Sequence, residues 1–265
     1  MVCLVNSISA FLSRPFHSKS LHHAPVHSAV VHDAIEEIKN VAAIVLAGGV
    51  GSRMKSDVPK QFLNLKGKPV LEHSLELFMA IEGIDQIILV IDERFREQFK
   101  ELQKSDQRLK FASPGRERQD SVLNGLALVD DHTSFVCIHD AARPLVTTDC
   151  IHRVLRDALE HGAAVLGVPM KATVKESEDG KFVLRTIDRS KLWEIQTPQV
   201  IRAELLKSGF EKVQHDGLEV TDDVSIIEHL GLPVKITMGE YTNLKLTTPD
   251  DMVVAEQILK SRENS

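Results

Sequence analysis

The residues best suited to handling anions are crowded into one stretch: Gly48, Gly49 and Gly51, then Ser52, Arg53, Lys55 and Lys60. Glycine has no Cβ, so such a run lets the backbone turn sharply and bring its N–H groups against an anion. Residues 52–55 then open as a helix-like segment, whose N-terminus favours phosphate. Together with the three cations, the pattern predicts a polyphosphate site. Farther along, Asp140 follows directly on an apolar run, where one carboxylate can hold Mg²⁺ against a triphosphate through one or two contacts. Arg53, Lys60 and Asp140 are the minimum set for nucleotidyl transfer, a metal bridging phosphates and cations meeting the charge that develops on the α-phosphate. Lys245 lies in a strand-like stretch near the sheet's edge and is a further cation able to point at a ligand. Thr221-Asp222-Asp223 has the form of a helix N-cap with acidic first-turn residues.

The elements needed to place these groups are legible. Residues 41–47, VAAIVLA, are an unbroken apolar run of the length and β-branched content of a buried parallel strand. Helical spacing over 70–81 is followed by a strand at 86–91, a helix at 95–102, a short strand at 109–112, a helix at 120–129 and a strand at 135–139. A helix at 148–161 and a strand at 163–169 continue the alternation. Alternating buried strands and helices mean a parallel sheet, with charged residues at the strand ends where such sheets bind ligands. Residues 173–187 break the pattern: two polar, β-rich segments meet at Glu178-Asp179-Gly180, a hairpin signal. Strand at 193–200, helices at 203–212 and 220–230, strands at 234–238 and 243–246, and a helix from Thr248 to 259 complete the reading.

Composition bounds the function. The 265 residues are 43% hydrophobic and 26% charged with net charge −6, ordinary for a globular α/β chain. With no basic stripe, one Trp and one Tyr, nothing suggests nucleic-acid binding, and no apolar run is long enough to cross a membrane. Cys3, Cys137 and Cys150 lack zinc spacing and read as reduced thiols. Residues 1–32 hold six Ser, five His, Arg14 and Lys19 but no Asp or Glu, the composition of a disordered organelle transit peptide. The body is then 33–265.

Two familiar phosphate loops do not fit. A P-loop needs Gly-Lys-Ser/Thr, and Lys55 has no preceding glycine; a dinucleotide fingerprint needs a third small residue where Met54 stands. Leu46-Ala47-Gly48-Gly49-Val50-Gly51-Ser52-Arg53-Met54 followed by Pro59-Lys60-Gln61 instead resembles the signature loop of nucleotidyltransferases that activate sugars or polyols. The ordered segments AGGVGSRM, PKQF, GRERQDS, HDAARP, KATVK, DRSKLW, TPQ, TDD and NLKLTTPDD, spread over residues 42–259, resemble the 2-C-methyl-D-erythritol 4-phosphate cytidylyltransferase family of the non-mevalonate isoprenoid pathway.

That resemblance implies a Rossmann-like, mostly parallel sheet of the nucleotide-diphospho-sugar transferase type, with a protruding β-hairpin arm at 171–190. It implies that Ala47, Gly48, Gly49, Gly51, Ser52, Gly115, Arg116, Ser121, Asp140 and Ala141 bind CTP, with Asp140 placing Mg²⁺. Arg53, Lys60, Lys245 and Arg189 would serve catalysis, and Arg143, Thr173, Arg189 and Thr221 the methylerythritol phosphate. Arg116 and Gln119 stand where the family varies, which touches base-loop detail. The implied reaction is in-line attack by the polyol phosphate on the α-phosphorus of CTP, expelling pyrophosphate. The nucleophile is already anionic, so no general base is needed, and His139 reads as a packed strand-end residue. The family implies a two-fold homodimer whose arm delivers Arg189 to the partner's site; the leader's composition alone does not choose between plastid and mitochondrion, and it is the resemblance that implies a plastid stroma address. Rival readings are a cytidylyltransferase for another polyol phosphate, such as ribitol 5-phosphate, and a catalytically silent nucleotide sensor; KATVK and DRSKLW weigh against the first, the retained cations against the second.

Overall fold

The computed structural model describes residues 39–49, 54 and 58–264; the leader and Gly51, Ser52, Arg53 and Lys55 lie outside them. Strand β1 (Val41–Leu46) is buried almost throughout and sits mid-sheet, paired in parallel with β4 (Ile84–Val90) and β6 (Phe135–Asp140). Its side chains alternate between two cores, as the period of a strand requires. Val41, Ala43 and Val45 join Leu71, Leu75 and Phe78 of α1 (Val70–Ala80) and Ile151, Val154 and Leu155 of a helix at Thr148–His161. Ala42 and Ile44 join Val122 of the helix Arg118–Leu126 and Leu206 and Phe210 of the helix Ala203–Asp216. Helices therefore cover both faces, which is why the central strands carry no polar alternation.

With β5 at Leu109–Ala112, β7 at Ala163–Pro169, β10 at Trp193–Arg202 and β11 at Lys235–Met238, the seven-stranded sheet runs β11-β7-β10-β6-β1-β4-β5, and the short antiparallel pair β2 (Asn64–Leu65) and β3 (Lys68–Pro69) stands outside it. Within the sheet only β10 runs against its neighbours, β6 and β7. It returns directly from β7 without a crossover helix, so it must be antiparallel. The chain between them is the arm, closed at its base by Met170 N donating to Leu192 O at 3.0 Å. Its paired segments are short, β8 (Lys175–Glu176) with β9 (Arg185–Thr186). The tip turns where Asp179 Oδ1 accepts from Lys181 N at 2.8 Å and Phe182 N at 3.0 Å. The arm holds its apolar side chains out to solvent: Phe182 is 78% exposed, Val183 61% and Leu184 57%.

Two elements differ from expectation. The helix expected over 220–230 is confined to Ser225–His229, because Asp222 and Val224 are held by the side chain of Gln199 on β10. Residues 243–246 form no ladder; Asn243 is turned inward to donate to Thr197 O at 2.9 Å, and Leu246 N bonds Ala142 O at 2.8 Å. The terminal helix, Pro249–Glu263, begins as expected at Thr248, which forms a reciprocal capping box with Asp251.

Candidate functional site

Strand order reverses on either side of β1, so its C-terminal end and that of β6 open into a crevice, the place where such sheets bind ligands. Leu46 and Asp140 are partners in the β1–β6 register there. A cavity of about 280 Å³ fills the crevice, lined by Ala47, Gly48, Gly49, Lys60, Gln61, Gly115, Arg116, Arg118, Ser121, Asp140, Ala142 and Lys245. Its two walls touch where a Cβ on Gly48 would stand 2.4 Å from Pro114 Cβ, and the second loop folds tightly on itself where one on Gly115 would stand 2.1 Å from Asp120 Cβ. Only glycine at 48 lets the first loop meet the second so closely. Ser121 Oγ fastens the second loop by accepting from Gly115 N at 3.0 Å and donating to Glu117 O at 3.1 Å.

On the first loop, Gln61 is buried and its amide donates to Ala47 O at 2.5 Å and to Gly49 O at 3.1 Å. Lys60 Nζ reaches across the cavity mouth to Leu246 O at 2.9 Å. Ala141 is fully buried, its N–H bonded to Leu46 O at 3.0 Å, and Ala142 rather than Ala141 faces the cavity.

Asp140 lies at the centre of a charge ladder. Lys245 Nζ approaches its Oδ2 at 2.6 Å, and Arg118 donates to its Oδ1 through Nε at 3.2 Å and Nη2 at 3.1 Å. The same guanidinium grips Asp223, Nη1 to Oδ1 at 2.6 Å and Nη2 to Oδ2 at 2.8 Å. Burial pushes the Asp140 carboxyl up, but Arg118 and Lys245 outweigh it and hold the group well below the usual carboxylate range. Asp223 is displaced upward by burial, with Arg118 pulling the other way.

A second cavity of about 160 Å³ lies behind this ladder, lined by Arg118, Asp140, Arg143, Gln199, Thr221 and Lys245 among others. Arg143 is held by Asn243 O at 2.7 Å and Ile195 O at 3.3 Å, and no acceptor among the described residues meets its buried Nε. Three cations and an unmatched buried donor suit a phosphate. Thr173 and Arg189, at the foot of the arm, are exposed and line neither cavity; Arg189 Nη1 donates to Lys171 O at 2.7 Å.

His139 is fully buried, with Thr197 Oγ1 3.1 Å from its Nδ1 and Arg143 O 3.2 Å from its Nε2. Burial pushes it down to about 4, so it is neutral at pH 7 and packs as expected.

The structure thus brings Ala47, Gly48, Gly49, Lys60, Gly115, Arg116, Ser121, Asp140 and Lys245 around one cavity, and Arg143 and Thr221 around its neighbour. Sequence alone assigns Arg118 and Gln61 no site role and gives Asp223 only a place in a helix cap. Arg118 and Gln61 sit inside motifs already noted, GRERQDS and PKQF, but their partners lie far along the chain or in backbone carbonyls.

Comparison with known proteins agrees with this geometry. The family model for 2-C-methyl-D-erythritol 4-phosphate cytidylyltransferase (IspD) matches residues 41–261. A relative named 2-C-methyl-D-erythritol 4-phosphate cytidylyltransferase, chloroplastic, from Oryza sativa subsp. japonica is 49% identical over 230 residues, 86% of this chain and 77% of that protein. The Bacillus velezensis protein named 2-C-methyl-D-erythritol 4-phosphate cytidylyltransferase is 44% identical over 226 residues, 84% of this chain and 97% of its own. The crystal structure of 4-diphosphocytidyl-2C-methyl-D-erythritol synthase from Anaerococcus prevotii superposes with a TM-score of 0.74 at 29% identity, covering 84% of this chain and 99% of that one. A chain that matches this family across its whole sheet, and whose glycine loop, carboxylate and cations converge at the switch point, is a nucleotidyltransferase and belongs to the 2-C-methyl-D-erythritol 4-phosphate cytidylyltransferase family.

Proposed function

We propose that the two cavities divide the family's reaction between them, the larger taking CTP and the smaller the polyol phosphate. The reaction is transfer of CMP from CTP to 2-C-methyl-D-erythritol 4-phosphate, giving 4-diphosphocytidyl-2-C-methyl-D-erythritol and pyrophosphate in isoprenoid precursor synthesis. The observation that carries the division is the shared wall: Arg118, Asp140 and Lys245 line both spaces, so two anions would meet across them. Gly48 and Gly49 present backbone to the triphosphate, with Gly51, Ser52 and Arg53 continuing the loop, and Gly115, Arg116 and Ser121 take the nucleoside. Lys60, Lys245 and Arg53 offset charge in the transition state. Arg143 and Thr221 orient the incoming phosphate, whose own charge makes a general base unnecessary.

The donor set fits Mg²⁺ held largely by substrate. Asp140 is an ionised oxygen donor facing the cavity, and among the described residues no group of three or more His, Cys, Asp and Glu is arranged to hold a metal without help. Mg²⁺ is commonly bound by one or two carboxylates and substrate phosphates. Asp140 would hold the ion, which when bound would offset negative charge on the phosphates.

The exposed Phe182, Val183 and Leu184 support a homodimer in which the arm packs on a second copy, with Thr173 and Arg189 serving the partner's smaller cavity. The acid-free leader, and the chloroplastic name of the rice relative, support a plastid address. The deciding experiment measures pyrophosphate release with each nucleoside triphosphate, with methylerythritol phosphate or ribitol 5-phosphate, with Mg²⁺ or a chelator. CTP, methylerythritol phosphate and Mg²⁺ should be required together; equal turnover of ribitol 5-phosphate, or full rate under chelation, overturns the corresponding assignment.

A further inference from the structure

Asp223 is 1% exposed and lines neither cavity, yet it is bound by both terminal nitrogens of Arg118. It belongs to the turn that carries Thr221 and Asp222 into the smaller cavity. That turn is secured at Gln199, which donates to Asp222 Oδ2 at 3.1 Å and accepts from Val224 N at 2.9 Å, and at Ser225 N, which donates to Asp222 Oδ1 at 3.1 Å. Its ion-pair tether to the nucleotide side is Arg118 alone among the described residues.

The ladder is asymmetric. Without Arg118, Asp140 keeps Lys245, whereas Asp223 keeps no cation among the described residues. Only a planar guanidinium can grip one carboxylate in a two-pronged fork and still donate to a second; an ammonium is a point charge that cannot reproduce both geometries.

We propose that Arg118 is a positioning residue for the second substrate: through Asp223 it sets the turn carrying Thr221, and through Asp140 it registers that turn against the nucleotide cavity. The proposal rests on assigning the smaller cavity to the polyol phosphate. It makes Arg118 act through a buried carboxylate rather than by touching the polyol, and that difference is measurable.

The test is a double-variant cycle on the full enzyme with CTP and methylerythritol phosphate, read as separate KM and kcat values beside thermal unfolding midpoints. Asp223→Asn replaces one acceptor oxygen with a donor and so spoils the fork. Arg118→Met and Asp223→Asn should each raise KM for the polyol phosphate on the order of tenfold, the scale of losing a hydrogen bond to a charged group, with a smaller change in KM for CTP. The double variant should be no worse than the more damaged single. Arg118→Lys should recover the unfolding midpoint without recovering KM. Multiplying effects in the double variant, full KM rescue by Arg118→Lys, or a parental KM in Asp223→Asn each overturn the proposal. Should Arg118→Met fail to fold, Arg118→Lys with Asp223→Asn, singly and together, close the same cycle. Thr221→Val serves as the separate control: an unchanged polyol KM there removes the cavity assignment itself, whatever the cycle shows.

Discussion

The side-chain amide of Gln61 joins two backbone carbonyls of the glycine loop, Ala47 O at 2.5 Å and Gly49 O at 3.1 Å. One buried amide therefore holds the loop on both sides of Gly48. Replacing it with leucine keeps the volume but orphans both acceptors, a cost of about 1–3 kcal/mol for a buried one. Gln61→Leu should lower the unfolding midpoint and raise KM for CTP more than KM for the polyol phosphate. Equal changes in both KM values would separate Gln61 from the nucleotide loop.

Lys60→Ala and Arg53→Ala should chiefly lower kcat, each by about 10²–10³-fold, the scale of losing one preorganised transition-state donor. CTP affinity should fall less. Lys60 is aligned by its bond to Leu246 O, so its position is set before substrate arrives. Steady-state kinetics decide the matter, and near-parental turnover in both variants removes these residues from catalysis.

Mixing two inactive proteins, Lys60→Ala and Arg189→Ala, under subunit exchange tests whether the arm serves the partner. If Arg189 works across the dimer, each mixed dimer has one intact site and one doubly damaged site. Random pairing should then restore roughly a quarter of parental activity. If Arg189 serves its own chain, the mixture stays inactive.

Stability should fall with acidification through His139. Burial holds its folded pKa at about 4 against an ordinary 6.5, so below about pH 6.5 the unfolded chain takes up a proton that the folded one refuses. The contribution is fully present above that value and is lost as pH drops toward 4. Thermal unfolding across this range should show a shallower pH dependence for His139→Gln than for the parent. At neutral pH the same substitution should leave the pH profile of kcat unchanged in shape, because a neutral packed imidazole moves no proton in the reaction.

Removing residues 1–32 should leave folded, active enzyme, and a reporter carrying them should enter plastids. Loss of folding on truncation, or a reporter that stays in the cytosol, counts against a transit peptide.

Where local pattern determined structure, reading the residues was enough. The helix at Thr148–His161 and the strands at Leu109–Ala112 and Ala163–Pro169 have the bounds expected from periodicity. The helix expected to begin at Asp120 begins at Arg118, because Asp120 is the third-residue half of a capping box with Glu117 rather than a start. Val220, Val224 and Ile227 have helical spacing, yet the bonds from Gln199 impose a turn before Ser225. Leu244 and Leu246 alternate like a strand, but they pack in a small satellite core with Leu65, Val70 and Ala255 and join no strand ladder. At the site, residue types revealed the anion chemistry, since glycines and cations cluster in sequence. Arg118 stayed hidden because its meaning depends on Asp223, 105 residues away.

The chain emerges from the ribosome with its N-terminus first, and its glycine loop is made early. Its partners are made late: Lys60 waits 186 residues for Leu246, and Asp140 waits 105 for Lys245. Domains fold as synthesis supplies them, and contacts this distant carry the largest loop-closure entropy. The contacts of both cavities thus stay incomplete until the segment through Leu246 has been translated, and a nascent or prematurely terminated chain holds a phosphate loop that lacks Lys245 and the carbonyl that aligns Lys60.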